Sequence, residues 1–418
     1  MKKRSFLKNL AVLGLGTGSF LQAKASPFST LDHLDFSSND LWQQIRASYR
    51  LKPDYVNLEN GYYCFLPEET LEKYIAHIRE VNYQASYYMR TVQWENKAKS
   101  VERLSKLVGV SPEELVLTRN TTESLDLVIS GYPWKPGDEA VASNQDYGSM
   151  LSMFDLQAKR SGIKINRIDI PMHPENDEEV VNAYEKVITP KTKLLMVPHI
   201  VNITGHILPV KKIAQMAHSY GVEVMVDGAH AVGHFDFNIS ELDVDYYGSS
   251  LHKWLSVPLG CGMLYVKNNR IAKLEPLLAP FDLKLETIGY LNHIGTHPVA
   301  TDLAVIDAID FQDKIGTKRK EDRLRYLQRY WSDQVRNLPG IEVNTPADPA
   351  RSCGIGNVGL TAMTPKEMAE TLMKKYQIYT VGIDSVGVRG CRICPNLYTS
   401  EKDLDHFVFA LKEMSGQV

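Results

Sequence analysis

Long apolar runs, basic blocks, internal repeats and low-complexity linkers are all missing from this chain, and each absence excludes something. No internal stretch reaches the roughly 20 apolar residues that a membrane-spanning helix needs. No long Lys/Arg block follows residue 10 and the formal net charge is only −3, so nothing marks an electrostatic footprint for nucleic acid. No repeat of about 20–50 residues suggests a solenoid, and no Pro/Gly/Ser-rich stretch reads as a linker. Cysteine is scarce, with five in 418 residues: Cys64, Cys261, Cys353, Cys391 and Cys394. The last two form a single C-x-x-C, open to a disulfide or to half a zinc site. No second C-x-x-C exists to complete a zinc knuckle.

What remains is a chain with 44% hydrophobic residues and mixed charge, enough for a sizeable core and too long for one simple domain. Its first 25 residues read separately. Lys2-Lys3-Arg4 is a positive n-region, LAVLGLGTGSFL a short apolar stretch, and Ala23-Lys24-Ala25 an A-x-A-like cleavage site. The string from Lys3 to Lys8 resembles a twin-arginine export signal with Lys in place of the first Arg. The expectation is an exported, periplasmic protein with no other membrane association. A plain secretory signal, or an uncleaved N-terminal helix on a cytoplasmic protein, is the alternative.

From about residue 97 to 278, strand and helix signals alternate. ELVLT, EAVAS, KLLMVPH and VEVMVDG read as strands, and TTESLDLVISG, GSMLSMFDLQAKRSG and VKKIAQMAHSYG as helices. This βαβα rhythm predicts an α/β fold with a mostly parallel sheet. After about residue 300 come a long charged helix, TKRKEDRLRYLQRYWSDQVRNL, shorter elements, and a final helix over roughly 400–414.

The segment from Val222 to Val266 carries the chemistry. The strand VEVMV ends in Asp227, and a second strand, DVDYYG, runs into Ser249-Ser250-Leu251-His252-Lys253-Trp254. Open α/β sheets bind ligands beyond the carboxyl ends of their strands, where both Asp227 and Lys253 would sit. A carboxylate and a lysine so placed suit pyridoxal 5′-phosphate. The lysine forms a Schiff base, and the carboxylate keeps the pyridine nitrogen protonated so that the ring acts as an electron sink. A buried salt bridge is the plain alternative for an arbitrary Asp and Lys.

VDGAHAVGHFDF followed by SSLHKW resembles the class V aminotransferase family of fold-type I pyridoxal-phosphate enzymes, over about residue 54 to the C-terminus. That resemblance implies an aspartate aminotransferase-like fold. It has a large cofactor-binding domain over 66–300 and a smaller α+β domain made of 301–418 with the N-terminal segment 26–65. It also implies roles. Lys253 would be the Schiff-base lysine and acid/base, Asp227 the partner of the ring nitrogen, and His230 a donor to the phenolic oxygen, where desulfurases often carry Gln. Thr121 and Thr122, with Glu123 at a helix start, would bind phosphate, helped by Ser250 and His252; N-capping is the simpler reading of the threonines. Tyr147 would pack the ring where desulfurases carry a histidine, and Asn202 would lie on the phenolic side. Gly295-Thr296 resembles the Gly-Thr that reaches a partner's phosphate, implying a homodimer with shared sites. Arg392, six residues before Tyr398, would take the substrate carboxylate. Asn60 and Gly61, with Tyr62, would line the substrate pocket.

One further absence narrows the reaction. A desulfurase needs a mobile-loop cysteine ahead of the carboxylate arginine, and QIYTVGIDSVGVRG has none. Desulfuration through an enzyme persulfide is therefore not expected, and Tyr147 resembles the isopenicillin N epimerase-like branch, which implies a small amino-acid or peptide substrate attacked at Cα or Cβ. An exported aminotransferase tailoring a peptide such as a siderophore, or a C–S lyase, is the alternative.

Overall fold

The computed structural model of the chain describes residues 40–280 and 287–417, together with Asp35 and Ser38. The expected export signal over 1–25 lies outside the described residues.

The central sheet has seven strands in the order β2-β8-β7-β6-β5-β3-β4. They are β2 (Leu115–Thr118), β3 (Glu139–Ser143), β4 (Lys164–Ile168), β5 (Thr192–Pro198), β6 (Glu223–Asp227), β7 (Tyr246–Ser250) and β8 (Gly262–Val266). Strand β8 is antiparallel to both its neighbours, and every other pairing is parallel. Six strands thus point the same way, and their carboxyl ends share one edge. Side chains alternate between two cores, as a period of two requires. Leu195, Val197, Val224, Val226 and Tyr247 face one cluster. Leu194, Met196, Met225 and Tyr246 face the other. Such strands, buried on both faces, read as continuous apolar runs. The edge strand β4 is only partly buried, with Lys164 and Arg167 exposed, which is why its KINRI string does not read as a strand. Strand β7 begins three residues later than DVDYYG suggests and extends through Ser250.

The helices that matter below are α1 (Glu68–Gln84), α2 (Gln93–Val108), α3 (Thr121–Gly131), α4 (Gly148–Ser161), α5 (Asp177–Glu185), α6 (Val210–Ser219), α7 (Ala300–Ile315), α8 (Thr317–Val335), α9 (Pro365–Tyr376) and α10 (Glu401–Met414). A third core lies under a four-stranded antiparallel sheet, β12-β13-β10-β9. Its strands are β9 (Ile341–Val343), β10 (Gly356–Leu360), β12 (Val381–Ser385) and β13 (Val388–Ile393). Helix α8 enters both regions: Leu324 packs in the first core, and Leu327, Trp331 and Val335 in the third. Helix α7 packs in the first core through Val305, Ala308, Ile309 and Phe311. The N-terminal strand β1 (Val56–Asn57) pairs in parallel with β11 (Ile378–Tyr379), and Glu59 bridges to Cys394.

Candidate active site

The carboxyl ends of five parallel strands open on one cavity of about 370 Å³, lined among others by Thr121, Tyr147, Pro198, Asp227, Ser250 and Lys253. Each residue arrives at the end of a strand or in the loop that follows it, where a sheet exposes backbone and side chains to a ligand.

One end of the cavity is built on the start of α3. Asn120 caps the helix by accepting the Glu123 amide at 2.9 Å. The Thr121 amide donates to Ser250 Oγ at 3.0 Å, and the two hydroxyls lie 2.7 Å apart. With Thr122 beside them, hydroxyls and a helix N-terminus converge on one spot, a donor set suited to a dianion. Glu123 is not part of it. Its carboxylate turns back to accept the Arg119 amide at 2.6 Å and pairs with the guanidinium at 3.1 Å.

His252 also lines the cavity, but its role as a simple donor needs correcting. Its Nδ1 lies 3.3 Å from the Cys261 carbonyl, which only accepts, so the proton of the neutral ring is on Nδ1. Burial and nearby Lys253 pull this histidine down to about 4. The Nε2 atom therefore offers a lone pair, and becomes a donor only if a bound anion charges the ring.

The cavity also holds Asp227, buried, with the Ala229 amide donating to Oδ1 at 3.0 Å. Burial raises its carboxyl above the ordinary value, opposed by that amide and by Lys253. Lys253 lines the same cavity. Burial lowers its amine to about 8, and the Asp227 charge works against that shift. Its Nζ is 3.1 Å from His230 Nε2. His230 is buried, and burial followed by the charge of Lys253 holds it well below the ordinary range, so the ring is neutral.

The substrate-side residues divide. Arg392 lines the cavity but is already gripped: Nε donates to Glu59 Oε2 at 3.2 Å, Nη2 to Glu59 Oε1, and Nη1 to the Asn202 carbonyl at 3.2 Å. Asn202 and Tyr147 both line the cavity, and Tyr147 is 47% exposed. Gly61 lies so close that a Cβ there would be 3.1 Å from Arg392 Cζ, so its lack of a side chain makes room for the guanidinium. Asn60, expected to line the pocket, does not. It is fully buried, its Nδ2 donates to the Cys394 carbonyl at 2.7 Å, and its Oδ1 accepts from Tyr398 at 2.6 Å. Both ends of the amide are consumed in joining the N-terminal segment to the loop after β13. Tyr62 lines the cavity; Tyr63 is not among the lining residues.

Thr296 is not brought to this cavity within the chain. With Gly295 it lines a separate groove of about 1190 Å³, alongside Arg90, Trp94 and Lys97. All five cysteines are free and buried, and none lines the Lys253 cavity. Cys391 and Cys394 are three apart on a strand line and face opposite ways: Cys391 Sγ contacts the Pro365 carbonyl, and Cys394 Sγ approaches Gly61. The stretch 377–390 is not an open loop but β11 and the β12–β13 hairpin, turning at 386–387.

Glu59 and Trp254 are the contributors that the sequence does not single out. The only hint is that Glu59 directly precedes Asn60-Gly61 and Trp254 directly follows the lysine.

The family model described as aminotransferase class-V matches residues 66–407. An isopenicillin N epimerase of Streptomyces clavuligerus is 28% identical over 399 residues, spanning 90% of this chain and 99% of that protein. A hercynylcysteine sulfoxide lyase of Schizosaccharomyces pombe is 21% identical, spanning 90% and 98%. Among solved structures, the apo cysteine desulfurase of Thermococcus onnurineus superposes with a TM-score of 0.79 at 21% identity, over 90% of this chain and 98% of that one. The last likeness concerns the fold.

Proposed function

Because the chain belongs to the class-V aminotransferase family, we propose that it is a pyridoxal-phosphate enzyme acting at Cα or Cβ of an amino-acid or peptide substrate, in the manner of an epimerase. The observation that carries this reading is the meeting of Lys253 Nζ and His230 Nε2 at 3.1 Å, in a cavity that also holds Asp227, Thr121, Ser250 and Arg392.

The residues present fit the cofactor. Thr121, Thr122 and Ser250, whose hydroxyls bond to one another or face the cavity, would hold its phosphate, with His252 charging in response. Asp227 would hold the ring nitrogen, Tyr147 and Asn202 would flank the ring, and Lys253 would carry the covalent link. Bound there, pyridoxal phosphate supplies an electron sink for the pair left at Cα when a bond to it breaks. Lys253, neutral above about pH 8, would accept the Cα proton on its own face, and inversion then requires a proton delivered to the opposite face. Arg392 binds the substrate carboxylate through the N–H groups that Glu59 and Asn202 leave over. No cysteine lines the cavity, which speaks against desulfuration through an enzyme persulfide.

A C–S lyase is the second reading, supported by the sulfoxide lyase among the relatives. Incubation of candidate amino acids in D₂O tests the choice. Deuterium at Cα with inversion supports epimerisation, 2-oxo acid formation supports transamination, and pyruvate with a sulfur product supports the lyase. A protein that stays colourless with pyridoxal phosphate sinks the whole reading.

The groove that carries Thr296, with Trp94 64% exposed, supports a homodimer in which Thr296 serves the partner's site; a monomer by light scattering would contradict it. The N-terminal string supports export, and a reporter fused to residues 1–30 that stays cytoplasmic would contradict that.

A further inference from the structure

We propose that Trp254 is a positioning residue: its indole N–H fixes the tautomer of His230, so that Nε2–H faces Lys253 and holds that amine in its neutral, lone-pair-bearing form. The inference rests on Lys253 being the reactive lysine.

The argument is one of hydrogen-bond direction. Trp254 Nε1 lies 3.3 Å from His230 Nδ1. An indole N–H can only donate, so Nδ1 must carry the lone pair, and the single proton of the neutral ring is on Nε2. That proton points at Lys253 Nζ, 3.1 Å away. A neutral amine accepts it; an ammonium would set donor against donor.

The surroundings hold this orientation from both sides. The His234 ring stacks on Trp254, with centroids 3.7 Å apart and planes 12° from parallel. The Gly354 amide donates to His234 Nε2 at 2.7 Å, which leaves the His234 proton on Nδ1, where it donates to the His230 carbonyl at 2.8 Å. Gly354 is constrained to be glycine: a Cβ there would lie 2.9 Å from both His234 Nε2 and the Trp254 ring. Lys320 Nζ donates to the Trp254 carbonyl. The ring and the backbone of His230 are therefore both fixed, partly by a loop more than 100 positions further along the chain. The other charged or titratable groups acting on Lys253 are Asp227, Arg392, Cys64 and Glu59. Those acting on His230, besides Lys253, are Arg392, His234 and His252. None of these accepts a proton from His230 Nδ1.

Competitive acetylation of Lys253 across pH, in the cofactor-free full-length chain, tests the proposal. Trp254→Phe should raise the pH midpoint of Lys253 reactivity by roughly one unit, since His230 can then place its lone pair toward the amine. Replacing Trp254 by 3-benzothienylalanine keeps the ring and the stack but removes the N–H, and should give the same rise. An unchanged midpoint in the benzothienyl protein overturns the proposal. If the variants do not fold, ¹⁵N-histidine NMR of the wild type decides. His230, identified by its absence in His230→Gln, should show the Nε2–H tautomer, and an Nδ1–H signature overturns the proposal. Neither readout needs bound cofactor, so failure of the cofactor reading and failure of this one are separable.

Discussion

Glu59 holds Arg392 through both carboxylate oxygens, across 333 positions of sequence and with both side chains nearly buried. Arg392, which we propose receives the substrate carboxylate, thus already has a resident one that offsets its charge before anything binds.

Glu59→Gln keeps the shape and removes the charge, leaving a buried guanidinium uncompensated. The variant should lose about 3 kcal/mol of stability, read as a lower urea midpoint with an unchanged slope. A loss below about 0.5 kcal/mol would mean the pair behaves like a surface bridge.

Lys253 has a folded-state value of about 8, below its ordinary 10.5. Between these values the unfolded chain binds the extra proton, so stability rises with pH there; below about 8 the burial cost is felt in full. Cofactor-free Lys253→Met should therefore be more stable than wild type at pH 7, and the gap should narrow from pH 8 to 9.5. Denaturant melts at each pH measure this, and a gap that widens would contradict it.

Asp126 on α3 is pushed up to about 6 by burial, and its Oδ1 finds no partner among the described residues. A carboxyl raised in the folded state favours folding below its unfolded value, and that contribution is lost as pH rises through about 6. Asp126→Asn should gain about 1 kcal/mol at pH 7 after allowance for partial exposure, and nothing below pH 4. Equal stability of the two proteins at pH 7 would refute this.

Asp227→Asn retains an oxygen for the Ala229 amide and loses the charge. Folding should survive, while kcat/KM should fall by about 10²–10³-fold, the equivalent of one buried ion pair. Steady-state kinetics on the substrate identified in D₂O would show it.

Cys391 and Cys394 are unbonded and face opposite sides of β13. Dithiothreitol should leave the thermal unfolding midpoint where it is; a drop of several degrees would reveal a disulfide.

Lys253 and Asp227 could be read from the chain because each ends an apolar run and sits within a long unbroken string. Helices α3, α4, α6, α8 and α10 were legible for the same reason, as caps and periodicity are local. Helix α5 and strand β4 were not, one being short and the other an exposed edge. Helix α7 was missed because it is buried on most sides and shows little amphipathic contrast. The fate of Asn60 was hidden because its partners, Cys394 and Tyr398, lie more than 330 positions away. Trp254 was in plain view beside the lysine, but its meaning depends on which His230 nitrogen it meets. Hydrogen-bond direction is not encoded in spacing.

The parallel pairing of β1 with β11 and the bridge from Glu59 to Cys394 also set an order of events during synthesis. Residues 115–266 already contain the hydroxyls, the carboxylate and the lysine of the cavity. The Arg392 wall waits: Glu59, Asn60 and Gly61 are made early, yet have nothing to close on until the ribosome has passed Arg392 and Tyr398. A nascent or truncated chain ending before residue 390 would carry Lys253 in a cleft that lacks its Arg392 wall.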